Sequence, residues 1–225
     1  MRPGALRTIL PFIILPALFF GILAFSYIRP LDNYELETLD LRFKLRPHAA
    51  VTDKVVFIEI GDDTIQALGR WPFERNYHAI LIKALSSFGA RAVLFDLFFS
   101  EPSDQDKELE QAMRAAGNVY MPVVFELNPK KRGNALSSDG YAGLTIAPLR
   151  SAVKGEGQIN IIPDADGKFR RVPLYIRHKG ADVPYISFLI GCEYLGIPQK
   201  DIRFIPGKYI QARSVSPYRS TSIPT

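Results

Sequence analysis

The sequence predicts an α/β fold in which a mostly parallel core sheet carries helices on both faces and an added antiparallel hairpin, preceded by one N-terminal transmembrane helix. Three observations support this prediction. Residues 55–60 and 92–99 are nearly unbroken apolar runs, which is typical of strands buried on both faces. Between them, apolar side chains recur at helical spacing over residues 77–88, so the two strands should pair in parallel through a right-handed crossover. Residues 8–28 carry no charge and would form a helix about 31 Å long, which matches the hydrocarbon core of a bilayer.

The N-terminal apolar segment also sets the expected topology. A cleaved signal peptide is the alternative, since Arg2 and Arg7 precede the segment, but the run is longer than the usual signal sequence. A buried soluble helix is a further alternative. The charges flanking the segment nearly balance, whereas a long C-terminal domain translocates largely regardless of charge. We therefore expect a single-pass protein of the inner or plasma membrane, divided into a cytoplasmic N-terminus, a transmembrane helix, an extracytoplasmic domain and a disordered or truncated tail (residues 1–7, 8–28, 29–207 and 208–225).

Charge and cysteine content narrow the classes of function. The net charge is +5, with 16 acidic and 11 basic residues in 29–127 but 7 acidic and 15 basic residues in 128–225. The one dense basic cluster, residues 130–132, lies beside asparagine, proline and glycine, and is interpreted as a solvated loop rather than a nucleic-acid surface. Cys192 is the only cysteine, so no intramolecular disulfide forms, and its apolar surroundings predict a buried side chain.

Caps and periodicity place the remaining elements of the first half. A helical stripe predicts a helix over residues 31–45 that continues the membrane helix outward. Asp62 or Asp63 would cap a helix at 64–68, and Asn76 would cap the helix that follows. Ser103 and Asp106 form a capping box that opens a helix ending at residue 116. Residues 118–125 should form a third strand, and residues 128–145, which lack periodicity, a loop.

The second half differs in its turn chemistry. Residues 158–162 and 169–177 are strand-like, and the turn sequence at 163–168 predicts that they pair as an antiparallel hairpin. A helix over residues 185–195 and a short strand over 202–205 complete the fold.

Four carboxylates are the first candidates for a site. The carboxyl ends of parallel strands meet at one sheet edge, where open α/β sheets bind ligands. Asp62 and Asp63 follow the first predicted strand, Asp96 lies late in the second, and Glu101 is just beyond it. Such a group could bind Mg²⁺ or Ca²⁺ or perform acid/base chemistry. The alternative is structural: helix caps, and ion pairs with nearby arginines.

Trp71 lies beside two arginines, so it is either part of a stacking site for a ligand or an aromatic lid. The predicted ligand-binding set is Asp62, Asp63, Arg70, Trp71, Arg75, Asp96 and Glu101, without a cofactor, a metal or a catalytic residue.

Enzyme signatures are absent from the sequence. His48, His78 and His178 are too scattered for a metal motif, and there is no nucleophile elbow, Walker loop or dinucleotide fingerprint. Asp164 and Asp166 look like a calcium loop, but the acidic residue that would complete it is missing. The sequence therefore predicts a protein that is not an enzyme.

A series of short motifs follows the predicted membrane helix. They are Leu39-Asp40-Leu41-Arg42-Phe43, residues 56–63, Leu68-Gly69-Arg70-Trp71-Pro72, Gly89-Ala90, Phe95-Asp96 with Phe99, Glu101-Pro102, Pro163-Asp164 with Asp166-Gly167, Arg170-Arg171 and Pro173-Leu174. Taken together in this order, over about residues 37–196, they resemble a known family, the CHASE-type extracytoplasmic sensor domain of the second class (cyclases/histidine kinases associated sensory extracellular).

The resemblance implies a sensory domain of a bacterial membrane-bound signal-transduction receptor, whose outputs include adenylate or diguanylate cyclases, histidine kinases and serine/threonine kinases. It further implies a small-molecule or physical signal, contact with the lipid bilayer, and a homodimer or a membrane partner carrying the output domain. Members continue into further membrane helices and an output domain, so we expect this chain to be truncated before its output domain, as a fragment or a truncated gene product; the alternative is a stand-alone sensor that needs a partner. We also expect a bound signal to move the helix at residues 31–45 and the span joined to it. The alternative is a membrane-anchored, exported, metal-dependent enzyme that uses Asp62, Asp63 and Asp96.

Overall fold

The computed structural model describes residues 13–23, 32–47, 53–127, 136–164, 166–205, 209–212 and 223–224. The chain divides into two compact units, Met1–Ile58 with Ala165–Gly167, and Glu59–Asp164 with Lys168–Thr225. The helices are α1 (residues 13–23), α2 (Asp32–Leu45), α3 (Asp62–Leu68), α4 (Arg75–Ser87), α5 (Asp106–Ala116), α6 (Ala147–Arg150) and α7 (Ile186–Tyr194), with a 3-10 turn at Gln199–Asp201. The strands are β1 (Val93–Leu94), β2 (Val119–Leu127), β3 (Ser137–Gly143), β4 (Gly155–Gln158), β5 (Tyr175–His178), β6 (Ala181–Pro184), β7 (Ile202–Ile205), β8 (Tyr209–Ala212) and β9 (Ile223–Pro224).

The first unit contains α1 and α2. Helix α2 confirms the helix predicted at 31–45. Within the described residues no helix combines the length and apolar character that crossing a membrane requires. Residues 8–12 and 24–28 of the predicted span lie outside the described residues.

The predicted strand at residues 55–60 does not form. The segment has no strand pairing, and its side chains are exposed, with Val56 79 % and Phe57 91 % accessible. Its apolar, β-branched composition gives the segment strand propensity, but a strand also needs a neighbour to pair its backbone groups. The predicted parallel pairing with residues 92–99 is therefore wrong, and β1 occupies only two residues of that second run.

Strand β2 is the centre of the six-stranded sheet and confirms the strand predicted at 118–125. Its first half pairs in parallel with β1 and with β4, and its second half pairs antiparallel with β3. Strand β3 then pairs in parallel with β5, so parallel pairings predominate in the sheet. Because residues 137–143 lie within the predicted loop at 128–145, β3 corrects that prediction; residues 128–135 are outside the described residues.

The antiparallel hairpin lies further along the chain than predicted. It joins β5 to β6 through Lys179 and Gly180, whose φ angles of 48° and 85° suit a two-residue turn of the type that hairpins favour. Of the two strands predicted for the hairpin, 158–162 and 169–177, only residue 158 falls in β4 and only residues 175–177 in β5, and β4 pairs with β2 instead. The turn sequence at 163–168 closes on itself, since the Asp164 N–H donates to the Lys168 carbonyl at 2.9 Å.

Helices cover both faces of β2. Val119 and Met121 belong to one apolar cluster with residues of α4, α5 and α6, whereas Tyr120 packs with Ile186 and Leu189 of α7. This division follows from the alternation of side chains along a strand. Gly157 in β4 permits the close approach of α7: a Cβ atom built there would lie 2.5 Å from the Ile186 Cα atom.

The C-terminal strands form a separate three-stranded antiparallel sheet in the order β7, β8, β9. Strand β7 and helix α7 confirm the elements predicted at 202–205 and 185–195. The tail at 208–225 is predicted to be disordered or truncated, but its described residues form β8 and β9. The apolar side chains of Tyr209 and Ile210 supply strand propensity within an otherwise polar segment.

Candidate functional site

Arg75, the first residue of α4, joins this helix to the loop that follows β1. Its Nε atom donates to the Asp106 Oδ1 atom at 3.1 Å, and a terminal nitrogen donates to the Glu101 carbonyl oxygen at 2.9 Å. The guanidinium carbon lies 4.3 Å from the centre of the Phe99 ring. The Arg75 and Asp106 side chains are only 13 % and 15 % exposed, so the ion pair is partly shielded from water.

The start of α4 is capped by a neighbouring loop rather than by its own side chain. Asn76, the predicted cap, instead donates its backbone N–H to the Gln105 Oε1 atom at 3.1 Å. The Gln105 amide also donates to the Glu74 carboxylate at 3.1 Å. The predicted box at the start of α5 forms in part, since the Ser103 N–H donates to the Asp106 Oδ2 atom at 2.7 Å. These contacts hold the two helix starts and the loop after β1 in one arrangement.

Three aromatic rings pack around the side chain of His78, which is buried. Its imidazole meets the rings of Phe99 at 5.2 Å, Phe95 at 5.9 Å and Trp71 at 6.3 Å, all edge to face. Burial, and then the nearby Arg75 charge, lower the pKa of His78. Trp71 also packs edge to face on Phe73 at 5.2 Å while remaining 40 % exposed. We call Trp71, Arg75, His78, Phe99 and Asp106 the Arg75 cluster.

The remaining predicted site residues, Asp62, Asp63, Arg70, Asp96 and Glu101, are exposed. Asp62 and Asp63 occupy the first turn of α3, which begins two residues earlier than predicted and buries none of its side chains. Neither residue is the cap; Asp63 accepts the Thr64 N–H at 2.7 Å. Arg70 is an exposed residue between α3 and α4.

Asp96 and Glu101 are both exposed, and both follow β1, which ends at Leu94, so Asp96 lies beyond the strand in which the sequence predicts it. Glu101 contributes its carbonyl oxygen to Arg75 rather than its carboxylate. Within the described residues, no group of three or more His, Cys, Asp or Glu side chains is arranged to hold a metal ion. The alternative of a metal-dependent enzyme therefore gains no support from the geometry.

The sequence does not reveal which groups hold the Arg75 side chain in place. Asp106 is 31 residues from Arg75 and is predicted only as part of a helix cap, and His78 is weighed only as a metal ligand. In the structure His78 lies three residues after Arg75 on the buried face of α4, with Ala79 and Ile82, where a polar ring requires a specific environment.

Comparison with known proteins identifies the family. The CHASE2 domain profile matches residues 14–224, nearly the whole chain. Searches of curated proteins and of solved structures returned no match. The motifs from residue 39 to residue 174 that resemble the second class of CHASE-type sensors are thus part of a match that extends over the complete fold, and the chain belongs to the CHASE2 family, whose members are extracytoplasmic sensory domains of signalling receptors.

Proposed function

We propose that this protein is the extracytoplasmic, signal-sensing part of a membrane-bound signal-transduction receptor and that it is anchored by the apolar segment at residues 8–28. Family membership over residues 14–224 carries the proposal. The 21 uncharged residues of that segment support the anchoring. The signal would reach an output domain through a homodimer or a membrane partner.

Within the domain, we propose that the signal is received at the surface around the Arg75 cluster. Trp71 offers an exposed ring beside the exposed Arg70, and Asp62, Asp63, Asp96 and Glu101 offer carboxylates on nearby parts of the sequence. Arg75 has a different role, because its contacts with Asp106 and the Glu101 carbonyl hold the loop rather than leave a free cation. A ligand that moves this loop would move the starts of α4 and α5 together.

Transmission is proposed to use α2, which lies between the apolar segment and the sensor domain in the sequence. A signal that favours one of two arrangements of the domain would act on this helix by shifting their populations. Only a signal with different affinities for the two arrangements can have this effect.

A reporter fusion tests the location. The full 225-residue chain is expressed in bacterial cells with alkaline phosphatase, which folds only outside the cytoplasm, fused after Thr225. A parallel fusion carries green fluorescent protein, which is fluorescent only inside. We expect phosphatase activity in the membrane fraction without fluorescence.

The matched control deletes residues 8–28 and should abolish export. Fluorescence of the intact fusion without phosphatase activity would contradict an extracytoplasmic domain. Recovery of an active intact fusion in the soluble periplasmic fraction would contradict the anchoring and favour a cleaved signal peptide.

A further inference from the structure

A cavity lies where the amino ends of β2 and β4 meet the end of α7, and no residue of the Arg75 cluster lines it. Its volume is about 400 Å³, within the range of small-molecule sites. The residues that matter for its chemistry are Tyr120, Lys154, Leu189, Glu193, Ile197 and Pro198. We call this cavity the Glu193 pocket.

Three polar groups converge on the wall of this pocket. The Glu193 carboxylate accepts the hydroxyl hydrogen of Tyr120 on one oxygen and pairs with the Lys154 ammonium on the other. Arg91 is also close, since its guanidinium lowers the pKa of Glu193, donates to the Tyr194 carbonyl at 3.3 Å and lies 4.6 Å from the centre of the Tyr194 ring. Two positive charges therefore act on the Glu193 carboxylate, Lys154 in the wall of the pocket and Arg91 outside its lining.

The protonation states are fixed near neutral pH. Burial alone would raise the pKa of Glu193, but the hydrogen bonds from Lys154 and Tyr120 outweigh this effect, and the net pKa is lowered. Burial, followed by the bond to Glu193, raises the pKa of Tyr120. Glu193 is thus an anion with one partner on each oxygen, and Tyr120 is a hydroxyl whose hydrogen is already donated.

Lys154 is the polar group of the pocket with unused hydrogen-bond donors. An ammonium has three N–H donors, and in the described part of the chain it pairs with Glu193, which leaves two donors. The side chain is 39 % exposed, so a ligand in the pocket can reach it. Leu189, Ile197 and Pro198 add apolar wall next to this polar corner.

These features select the class of ligand. An amine or a metal cation meets a Glu193 carboxylate that is already paired with Tyr120 and Lys154, and it is repelled by the Lys154 ammonium in the wall and by the nearby Arg91 charge. A dianion such as phosphate meets only one cation with spare donors and lies beside the Glu193 charge. A ligand with one negative charge and an apolar body can accept from the two unused Lys154 donors and pack against Leu189, Ile197 and Pro198. Its charge also balances the positive charges of Lys154 and the nearby Arg91, which exceed the negative charge of Glu193 by one.

We propose that the Glu193 pocket binds a small organic monocarboxylate, with its carboxylate on Lys154 and its apolar body against Leu189, Ile197 and Pro198. The binding site stands on its own geometry; its use as a sensory input rests on the proposed function. The position is also informative, because it lies at the amino ends of β2 and β4, opposite the sheet edge at which the sequence predicts ligand binding.

Isothermal titration calorimetry of the full chain in lipid nanodiscs tests the proposal with three probes. Benzoate has one negative charge on an apolar ring, benzylamine has the same ring with a positive charge, and inorganic phosphate has the charge without the ring. We expect saturable benzoate binding with a dissociation constant of about 1 mM or lower, as a ligand of this size allows. Benzylamine and phosphate should bind at least about tenfold more weakly, which corresponds to about 1.4 kcal/mol.

Two variants locate the site. Lys154→Gln keeps a donor for Glu193 but removes the charge, and Ile197→Glu places a negative charge on the wall of the pocket at a half-buried position. Each should weaken benzoate binding at least about tenfold, whereas Lys107→Gln, an exposed lysine on α5, should bind like the wild type. The second variant serves if the first fails to fold, as judged by circular dichroism.

No saturable benzoate binding, equal binding of the three probes, or unchanged binding in either folded variant would overturn the proposal. None of these results bears on the extracytoplasmic location, which the reporter fusions measure. A failure of the proposed monocarboxylate site can therefore be distinguished from a failure of the proposed extracytoplasmic location.

Discussion

Replacing Gly157 by alanine is the sharpest test of how α7 is mounted on the sheet. The added Cβ atom would lie 2.5 Å from the Cα atom, 2.8 Å from the Cβ atom and 2.9 Å from the nitrogen of Ile186. Carbon atoms in contact normally lie about 3.5–4.0 Å apart, so the strand or the helix has to move by about 1 Å. The obstruction is largely backbone, and a change of rotamer cannot relieve it.

The expected cost is at the upper end of the range for overpacked sites, about 3 kcal/mol in the free energy of unfolding. For a domain of this size, the melting temperature should fall by about 6–12 °C. Thermal unfolding of the purified full chain, followed by circular dichroism, measures the change. We expect Tyr120 and Leu189 to lose packing at the same time, because they belong to the cluster that α7 closes.

Gly191 provides the matched control, since it lies inside α7 and an added Cβ atom there meets nothing within 4 Å. Gly191→Ala should stabilise the protein by about 0.5–1 kcal/mol through helix propensity alone. A Gly157→Ala variant that melts within about 2 °C of the wild type, a shift worth less than about 1 kcal/mol, would refute the close approach of β4 and α7. Equal melting temperatures for the two alanine variants would refute it as well.

Three further predictions concern the polar interactions. Arg75→Met should lower the free energy of unfolding by about 3 kcal/mol, because Asp106 loses its partner in a shielded position. Lys83→Met breaks an exposed ion pair of 3.6 Å with Glu108 between the same helices and should change the free energy of unfolding by less than about 1 kcal/mol. Similar losses for the two variants in urea titrations would contradict the difference in shielding. The pKa of His78 is lowered in the folded protein, so the unfolded chain binds the proton more readily, and stability should fall as the pH drops below about 6.5. His78→Phe should flatten this part of the dependence of melting temperature on pH, and an unchanged slope would exclude His78 as its source. Asn160→Ala should lower the free energy of unfolding by about 1–3 kcal/mol, because the Asn160 amide accepts the Phe125 N–H at 2.9 Å and donates to the Phe125 carbonyl at 2.8 Å. Gln66→Ala on the exposed helix α3 should leave the melting temperature nearly unchanged in the same measurements.

The sequence predicts those elements whose signal is local. Helices α4, α5 and α7 and strands β2 and β7 each carry their own periodicity or apolar run, and the structure places them within a few residues of the prediction. Strand β3 is different, because its sequence, Ser-Ser-Asp-Gly-Tyr-Ala-Gly, is polar and glycine-containing. It is a strand because β2 and β5 pair with its two edges, and that information lies elsewhere in the chain.

The errors in the hairpin and in residues 55–60 have the same physical origin. Lys179 adopts a positive φ angle that lysine rarely takes, so the turn that forms is not the one with the stronger turn sequence. At residues 55–60 the strand propensity is present but the described structure gives the segment no pairing. Strand propensity shows that a segment can adopt an extended conformation, but the segment becomes a strand only where a neighbouring strand pairs with its backbone groups.

The candidate site shows this limit at the level of single side chains. Glu101 and Arg75 are predicted together, yet the contact uses a carbonyl oxygen, which no charge pattern reveals. The Glu193 pocket joins Tyr120 to a residue 73 positions away. Such pairs depend on how α7 is placed over β2 and cannot be found by spacing.

The position of Trp71 gives the protein an optical property. It is the only tryptophan in the chain, and its indole lies edge to face with Phe73 and His78 at the margin of the Arg75 cluster. With excitation at the red edge of the absorption band, the emission of the whole protein therefore comes from one place that is partly wet and partly packed. A shift of that emission spectrum reports on the polarity around a single ring, and so a change of state at this surface can be followed in the unlabelled protein.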